Sequence, residues 1–273
     1  MLCKILEEWA NTILIYIYIQ KSGKFTQTWG SWTKDLIDLP ELWKQFKFGC
    51  SIGIITYGQW VLYEIQTLIA GNFGQGQVVV HLAIGNASSF SYCFSLAIAV
   101  TMLTFLGNSL GERKLNKAKN YVYACYIVLI IQTIIYGLII FFARNKWAQI
   151  WTDQVSTQEY MLSALTSYIC TCLIADPMNN GLISVLKSVG KEKIATASVL
   201  ASMYLIGAPL VIIFAFFLDM KVKGVWLGFG LGGVALLIWN IYTFQKLDWN
   251  QIQKDVIQKT GQDQKETELE KLL

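Results

Sequence analysis

Two acidic side chains stand where acidic side chains are rare. Glu64 interrupts the apolar and aromatic run IGIITYGQWVLYEIQTLIAG at 52–71, and Asp176 interrupts ICTCLIADPMNNGLISVLKS at 169–188. An ionised carboxylate at the centre of a membrane helix costs roughly 2.5–3.5 kcal/mol on insertion scales, so such groups face a bundle interior or a wet cavity and mark ion or proton pathways. Desolvation disfavours the charged form of a carboxylate, and an acid so placed can exchange a proton near neutral pH. The same carboxylate is a counter-ion for a cationic organic molecule, which aromatic faces also attract. If a proton and a cation compete for one carboxylate, inward movement of one can drive outward movement of the other.

The neighbours of each acid are set by helical spacing. Steps of four and three place Asp176, Asn180, Ser184 and Lys187 on one stripe, running from the middle of a span to its end. Pro177, next to Asp176, frees the carbonyl of Leu173 and predicts a kink. Around Glu64, Gly53, Tyr57 and Trp60 share its stripe, whereas Gln59, Tyr63 and Gln66 form a second one, turned by roughly 140° at 100° per residue. Tyr57, Gln59, Trp60, Tyr63, Asn180, Ser184 and Lys187 are therefore candidate cavity-lining residues around the coupling pair Glu64 and Asp176.

Other chemistries lack their residues. There is one histidine, His81, and no CxxC or Cys/His cluster among the six cysteines, so neither a metal nor a haem site is expected. His81 is expected at a helix start facing the outer aqueous side, as an interfacial polar residue. No HExxH, GxSxG or P-loop pattern occurs. The chain is expected to be no enzyme and to carry no cofactor.

The elements that must hold the two acids are membrane helices. Of 273 residues, 54% are hydrophobic and 15% charged, against about 25% charged in ordinary soluble domains; the mean hydropathy is +0.44. About 20 apolar residues cross the hydrocarbon, and six runs qualify: 47–70, 82–106, 121–143, 160–186, 194–218 and 225–245. Residues 1–20 form a partial transmembrane or interfacial helix, 21–45 a polar linker with Pro40 and three tryptophans, 46–245 a six-helix lobe, and 246–273 a polar tail that is a frayed helix or disordered. The fold class is all-α, an up-and-down bundle with short connections. Gly224, Gly228 and Gly232 lie on one helix face and predict close backbone packing, with Gly49 and Gly53 repeating the device. Pro209 predicts a second kink.

The net charge of +4 raises the possibility of nucleic acid, but its distribution argues against it. Lysine and arginine cluster in alternate connections, at 21–47, 113–119 and 187–193. The positive-inside bias puts these and the C-terminal tail in the cytoplasm. The partners expected are the lipid bilayer, a small organic cation, and protons or sodium.

Five blocks carry a family resemblance: QWVLYEIQTLIAG, LGNSLGERKLNKAKNY, ADPMNNGLISVLKSVGKEK, MYLIGAPLVIIFAF and KGVWLG. In order and spacing they resemble the C-terminal half of eukaryotic multidrug and toxin extrusion (MATE) transporters, over about residues 8–245. The second block is the most specific, resembling the family's cytoplasmic loop VGNxLGxGxxxxAK. The resemblance implies two six-helix lobes facing across a cleft that exchanges organic cations or other metabolites for protons or sodium. It further implies that this chain begins inside the family's sixth helix and lacks most of the N-terminal lobe. Glu64 matches the second acid of the seventh helix, and Asp176 matches the acid of the tenth. The first acid of the pattern CLExWxxE is Gln59 here, which cannot titrate.

Two readings stand at this point. One is a MATE-type half-transporter for xenobiotic or organic cation efflux by antiport, completed by a second lobe or by a homodimer. The other is a truncated or scaffold membrane protein without transport.

Overall fold

The structure, a computed structural model, describes residues 2–22 and 38–256, the side chains of 2–4, 48, 51–56, 58 and 59 excepted. Most of the linker expected at 21–45 and the tail beyond 256 lie outside the described residues. The chain divides into two compact units, 1–54 and 55–273. In the first lie α1 (Leu2–Ser22) and the start of α2 (Leu39–Asn72). The apolar side chains of α1, such as Trp9 and Leu14, are exposed.

The second unit holds the rest of α2, then α3 (Gln75–Gly111), α4 (Leu115–Trp151) and α5 (Val155–Ser188). It continues through α6 (Glu192–Leu200), α7 (Ala208–Ile212) and α8 (Lys221–Gln245). Every regular element among the described residues is helical. Five helices are long and apolar enough to cross a membrane: α3, α4, α5, the continuous stretch 192–217, and α8. The protein is therefore an integral multi-pass membrane protein. The first expected span, 47–70, falls within the single long helix α2.

Breaks between these helices follow residues that cannot continue them. Gly74 has φ 97° ahead of α3, and Gly190 has φ 72° after α5, a region open to glycine without a Cβ penalty. Pro209 sits in the first turn of α7, between π-helical segments at Ala201–Gly207 and Ile213–Phe217. Its ring displaces the carbonyl of Leu205, and the widened turns absorb the misfit. Where a kink is expected, the helix carries two π segments, one on either side of α7. Pro177 lies inside α5, which stays helical from Val155 to Ser188.

The most buried of the five is α5, which packs against α3, α4 and α8. By contrast, α4 turns Ile127, Ile131, Ile134, Leu138 and Phe142 outward, an apolar face that suits lipid. Apolar contact with lipid gives helices little reason to associate, so packing and small residues must supply it. The glycine stripe of α8 does so. A Cβ at Gly224 would stand 2.6 Å from the carbonyl oxygen of Phe214, one at Gly228 2.7 Å from the carbonyl carbon of Leu210, and one at Gly232 2.8 Å from the Cα of Gly207. Backbone thus lies on backbone along the 192–217 helix. At Gly49, a Cβ would meet nothing within 4 Å, and there the glycine device has no described counterpart.

One expectation fails at the C-terminus. The chain does not fray from Lys246: Leu247 and Ile252 are buried in a cluster with Leu110, Ala118 and Val122, and residues 249–256 are helical. Asp248 caps this helix, its Oδ1 accepting from the amides of Asn250 at 2.9 Å and Gln251 at 3.1 Å. The apolar spacing of Leu247, Ile252 and Val256 is too short a signal to be read among so many glutamines and charges.

Candidate functional site

Asp176 opens onto a cavity of about 180 Å³ between α2, α3, α5, α8 and the first π segment. Its walls are aromatic and polar: Trp60 and Tyr63 from α2, Tyr92 with Ser88 and Ser89 from α3, Asn179 and Asn180 from α5, and Trp226 and Phe229 from α8. Asp176 itself is half-buried. Pockets for drug-sized ligands run to about 300–1,000 Å³, so this hollow is the size of a small ion with its waters, or of one end of a larger molecule.

The amides of the cavity wall are bonded to neighbouring helices. The Asn179 side-chain N–H donates to the carbonyl of Gly233 at 2.9 Å, and its oxygen accepts from Asn240 at 3.2 Å. Asn240 in turn accepts from the Ser198 hydroxyl at 3.0 Å. Three helices, α5, α6 and α8, are thereby tied through fully or nearly buried polar groups. Asn180 donates to the Ser95 hydroxyl of α3 at 3.0 Å, and Ser95 donates to the Tyr92 carbonyl at 3.0 Å. Each bond fixes a residue beside Asp176.

Trp226 is the aromatic centre. Its ring centroid lies 5.7 Å from Tyr168, 6.3 Å from Tyr63 and 6.5 Å from Phe229, all edge to face, and 5.6 Å from His81, separations typical of favourable ring pairs. Trp226 is 1% exposed, and its Nε1 has no hydrogen-bond partner among the described residues. Tyr63 reaches this cluster only because position 85 is glycine: a Cβ there would overlap the Tyr63 hydroxyl.

His81 is placed otherwise than expected. It is wholly buried, its Nε2 3.1 Å from the Thr67 hydroxyl and its ring 5.6 Å from that of Tyr63. The reason is register: α3 begins at Gln75, so His81 lies almost two turns inside and faces α2 and α8.

The other candidates separate into two groups. Trp60, Tyr63 and Asn180 join Asp176 on the cavity wall. Ser184 is buried one turn beyond Asn180, and Lys187 is exposed in the last turn of α5, so the α5 stripe does run from the cavity to the helix end. On α2, Tyr57 is 70% exposed and Glu64 is exposed, and neither lines the cavity. Gln59 has its side chain outside the described residues. Sequence reasoning missed Asn179, Asn240, Tyr92 and Trp226. A signal existed for Asn240, an amide alone in the apolar run ALLIWNIY; Asn179 was hidden beside its stripe-mate Asn180.

Among the described residues, no group of three or more His, Cys, Asp or Glu side chains could hold a metal ion. The MatE family profile matches residues 52–213, more than half of the chain. A probable multidrug resistance protein NorM of Bacillus thuringiensis is 26% identical over 212 residues, which cover 75% of this chain and 46% of that protein. Protein DETOXIFICATION 49 of Arabidopsis thaliana is 26% identical over 251 residues, covering 88% and 48%. The crystal structure of the eukaryotic MATE transporter AtDTX14 superposes with a TM-score of 0.81 at 20% identity, covering 92% of this chain and 56% of that one. The chain spans about half the length of the curated relatives it matches. With its helical order and a profile match over most of the lobe, this chain belongs to the MATE family of membrane transporters, which are not enzymes.

Proposed function

We propose that the chain is one lobe of a transporter that moves organic cations out of the cytoplasm in exchange for protons or sodium. The observation that carries this is Asp176, a carboxylate on a cavity walled by Trp60, Tyr63, Tyr92, Trp226 and Phe229. Such a wall offers an organic cation both a counter-charge and ring faces. In this reading Asp176 takes the proton or the cation in turn, Asn179 and Asn180 hold the wall in shape, and Lys187 marks the cytoplasmic mouth. Glu64, exposed on α2, faces the opposing lobe, which is either an N-terminal half or a second copy. The six spans then comprise α2 and the five apolar helices, in the manner of the C-terminal lobe of a eukaryotic MATE protein. The lysine-rich connections and the C-terminus are cytoplasmic. Tail, lobe and linker follow the divisions 246–273, 46–245 and 21–45, with 1–20 as a partial helix.

Proteoliposomes loaded with a fluorescent organic cation test the reading. An imposed pH gradient should release the cation from vesicles holding crosslinked dimers or the chain paired with an N-terminal lobe, and not from those holding Asp176→Asn. Absence of release from every pairing, under an imposed pH gradient and under an imposed sodium gradient alike, would overturn it. A second reading, a membrane protein that binds or scaffolds without transporting, is favoured by one observation: Glu64 lies off the cavity. It predicts cation binding to the purified chain with no release.

A further inference from the structure

We propose that the α3–α4 connection, together with the helix over 249–256, forms a binding site for a phosphate-bearing anion, supplied by an anionic lipid headgroup. The site is a surface hollow of about 480 Å³ lined by Arg113, Lys114, Leu115, Asn116, Lys117 and Gln253. It is separate from the Asp176 cavity and does not depend on what that cavity transports.

Charge favours an anion there. The one carboxylate in the connection, Glu112, is taken by Lys114 at 3.1 Å and Lys117 at 3.4 Å. Two lysines against one glutamate leave an excess, and the Arg113 guanidinium adds to it, making no ion pair among the described residues. Arg113 has five fixed donors suited to a phosphate, Asn116 and Gln253 can add amide donors, and Leu115 gives the hollow an apolar floor.

The backbone holds this arrangement by design of a distant segment. Arg113 has φ 62°, in the left-handed region that favours glycine. Its carbonyl accepts a 2.8 Å bond from the Gln253 amide, 140 residues away. The 249–256 helix is anchored by Leu247 and Ile252 in the cluster with Leu110 and Ala118, and Trp249 has the Lys119 ammonium 5.9 Å over its ring. An arginine is thus presented in a conformation it would not otherwise choose, by a helix whose docking leaves the hollow open.

Position decides the source of the phosphate. The hollow lies where α3 ends and α4 begins, at the end of the bundle that also carries Lys187, Lys191 and Lys193. Basic hollows at the ends of membrane helices on the lysine-rich side suit anionic headgroups.

Native mass spectrometry of the full chain in phosphatidylcholine nanodiscs doped with phosphatidylglycerol tests this. The wild type should retain a phosphatidylglycerol that Arg113→Gln/Lys117→Gln retains about thirtyfold more weakly, at roughly fivefold for each charge removed. The variant Arg113→Gly guards against misfolding, since glycine accepts φ 62° without strain: it should melt at an unchanged or higher temperature and still lose about fivefold in retention. Equal retention by wild type and both variants would overturn the site. Inorganic phosphate that protects the wild type thermally as well as the lipid does, and fails with the variants, would overturn the lipid as its occupant while supporting the anion site.

Discussion

Asp176 and Glu64 are alike in chemistry and opposite in setting. Asp176 stands on a wall built from five elements, beside amides bonded to two other helices, α3 and α8, and beneath an aromatic cluster centred on Trp226. Glu64 stands one residue from a cavity-lining tyrosine, yet on the exposed side of α2. A helix turns its side chains by 100° per residue, so adjacency to Tyr63 guarantees that Glu64 points elsewhere. The helix α2 thus lends Trp60 and Tyr63 to the Asp176 cavity while it turns Glu64 away from it; in the proposed reading Glu64 meets the opposing lobe.

The largest expected effect breaks this comparison outright. In vesicles with a complementing lobe, Asp176→Asn should lower proton-driven cation release by about a hundredfold, the scale on which removal of a proton-transfer group acts, while leaving the melting temperature little changed. Glu64→Gln should lower release only when the opposing surface is present, and leave cation binding to the isolated chain unaltered. Equal loss of binding for both variants would mean that the two acids act as one site.

Next in size is the seat of the wall. Gly228→Ala forces a Cβ into the backbone of Leu210 and Val211, and overpacking of this kind costs typically 1–3 kcal/mol. Thermal or denaturant unfolding in detergent should show it, with loss of cation binding, whereas Gly49→Ala should be close to neutral. The amide network follows: Asn179→Ala should cost about 0.6 kcal/mol and at most about 1.7, the range of interhelical hydrogen bonds in membranes, and it should loosen binding at Asp176 but not at Glu64.

The smallest effect lies outside the membrane. Glu112 is held below the usual glutamate range, first by hydrogen bonds from Lys114 and Lys117 and then by their charge. A depressed folded value means a contribution present above the ordinary glutamate range and lost as pH falls through the lowered one. Glu112→Gln should remove that small contribution at neutral pH, flatten the acid limb of the unfolding curve by the same amount, and leave stability below the lowered value unchanged. Because the group is fully exposed, the change should be near the limit of detection.

How much of this was legible beforehand differs by residue. The apolar runs led to five of the membrane helices, and the glycine spacing at 224, 228 and 232 led to a backbone contact, because both signals are local and periodic. The stripe from Asp176 to Lys187 was legible for the same reason. Trp226, Tyr92 and Asn240 were not, since their part in the site depends on α3, α5 and α8 meeting. His81 was misplaced by less than two turns, enough to move it from an aqueous edge to the centre of the core.

The sequence by itself determined that this chain lives in a bilayer, in long helices, with two acids that must be accommodated. Hydropathy and helical period are properties of neighbouring residues, and no tertiary contact is needed to express them. Only the tertiary structure decided which acid is enclosed. That choice turns on Tyr63 fitting against Gly85 and on Asn179 meeting Gly233 and Asn240, contacts between segments far apart in the chain, whose joint geometry no local pattern encodes.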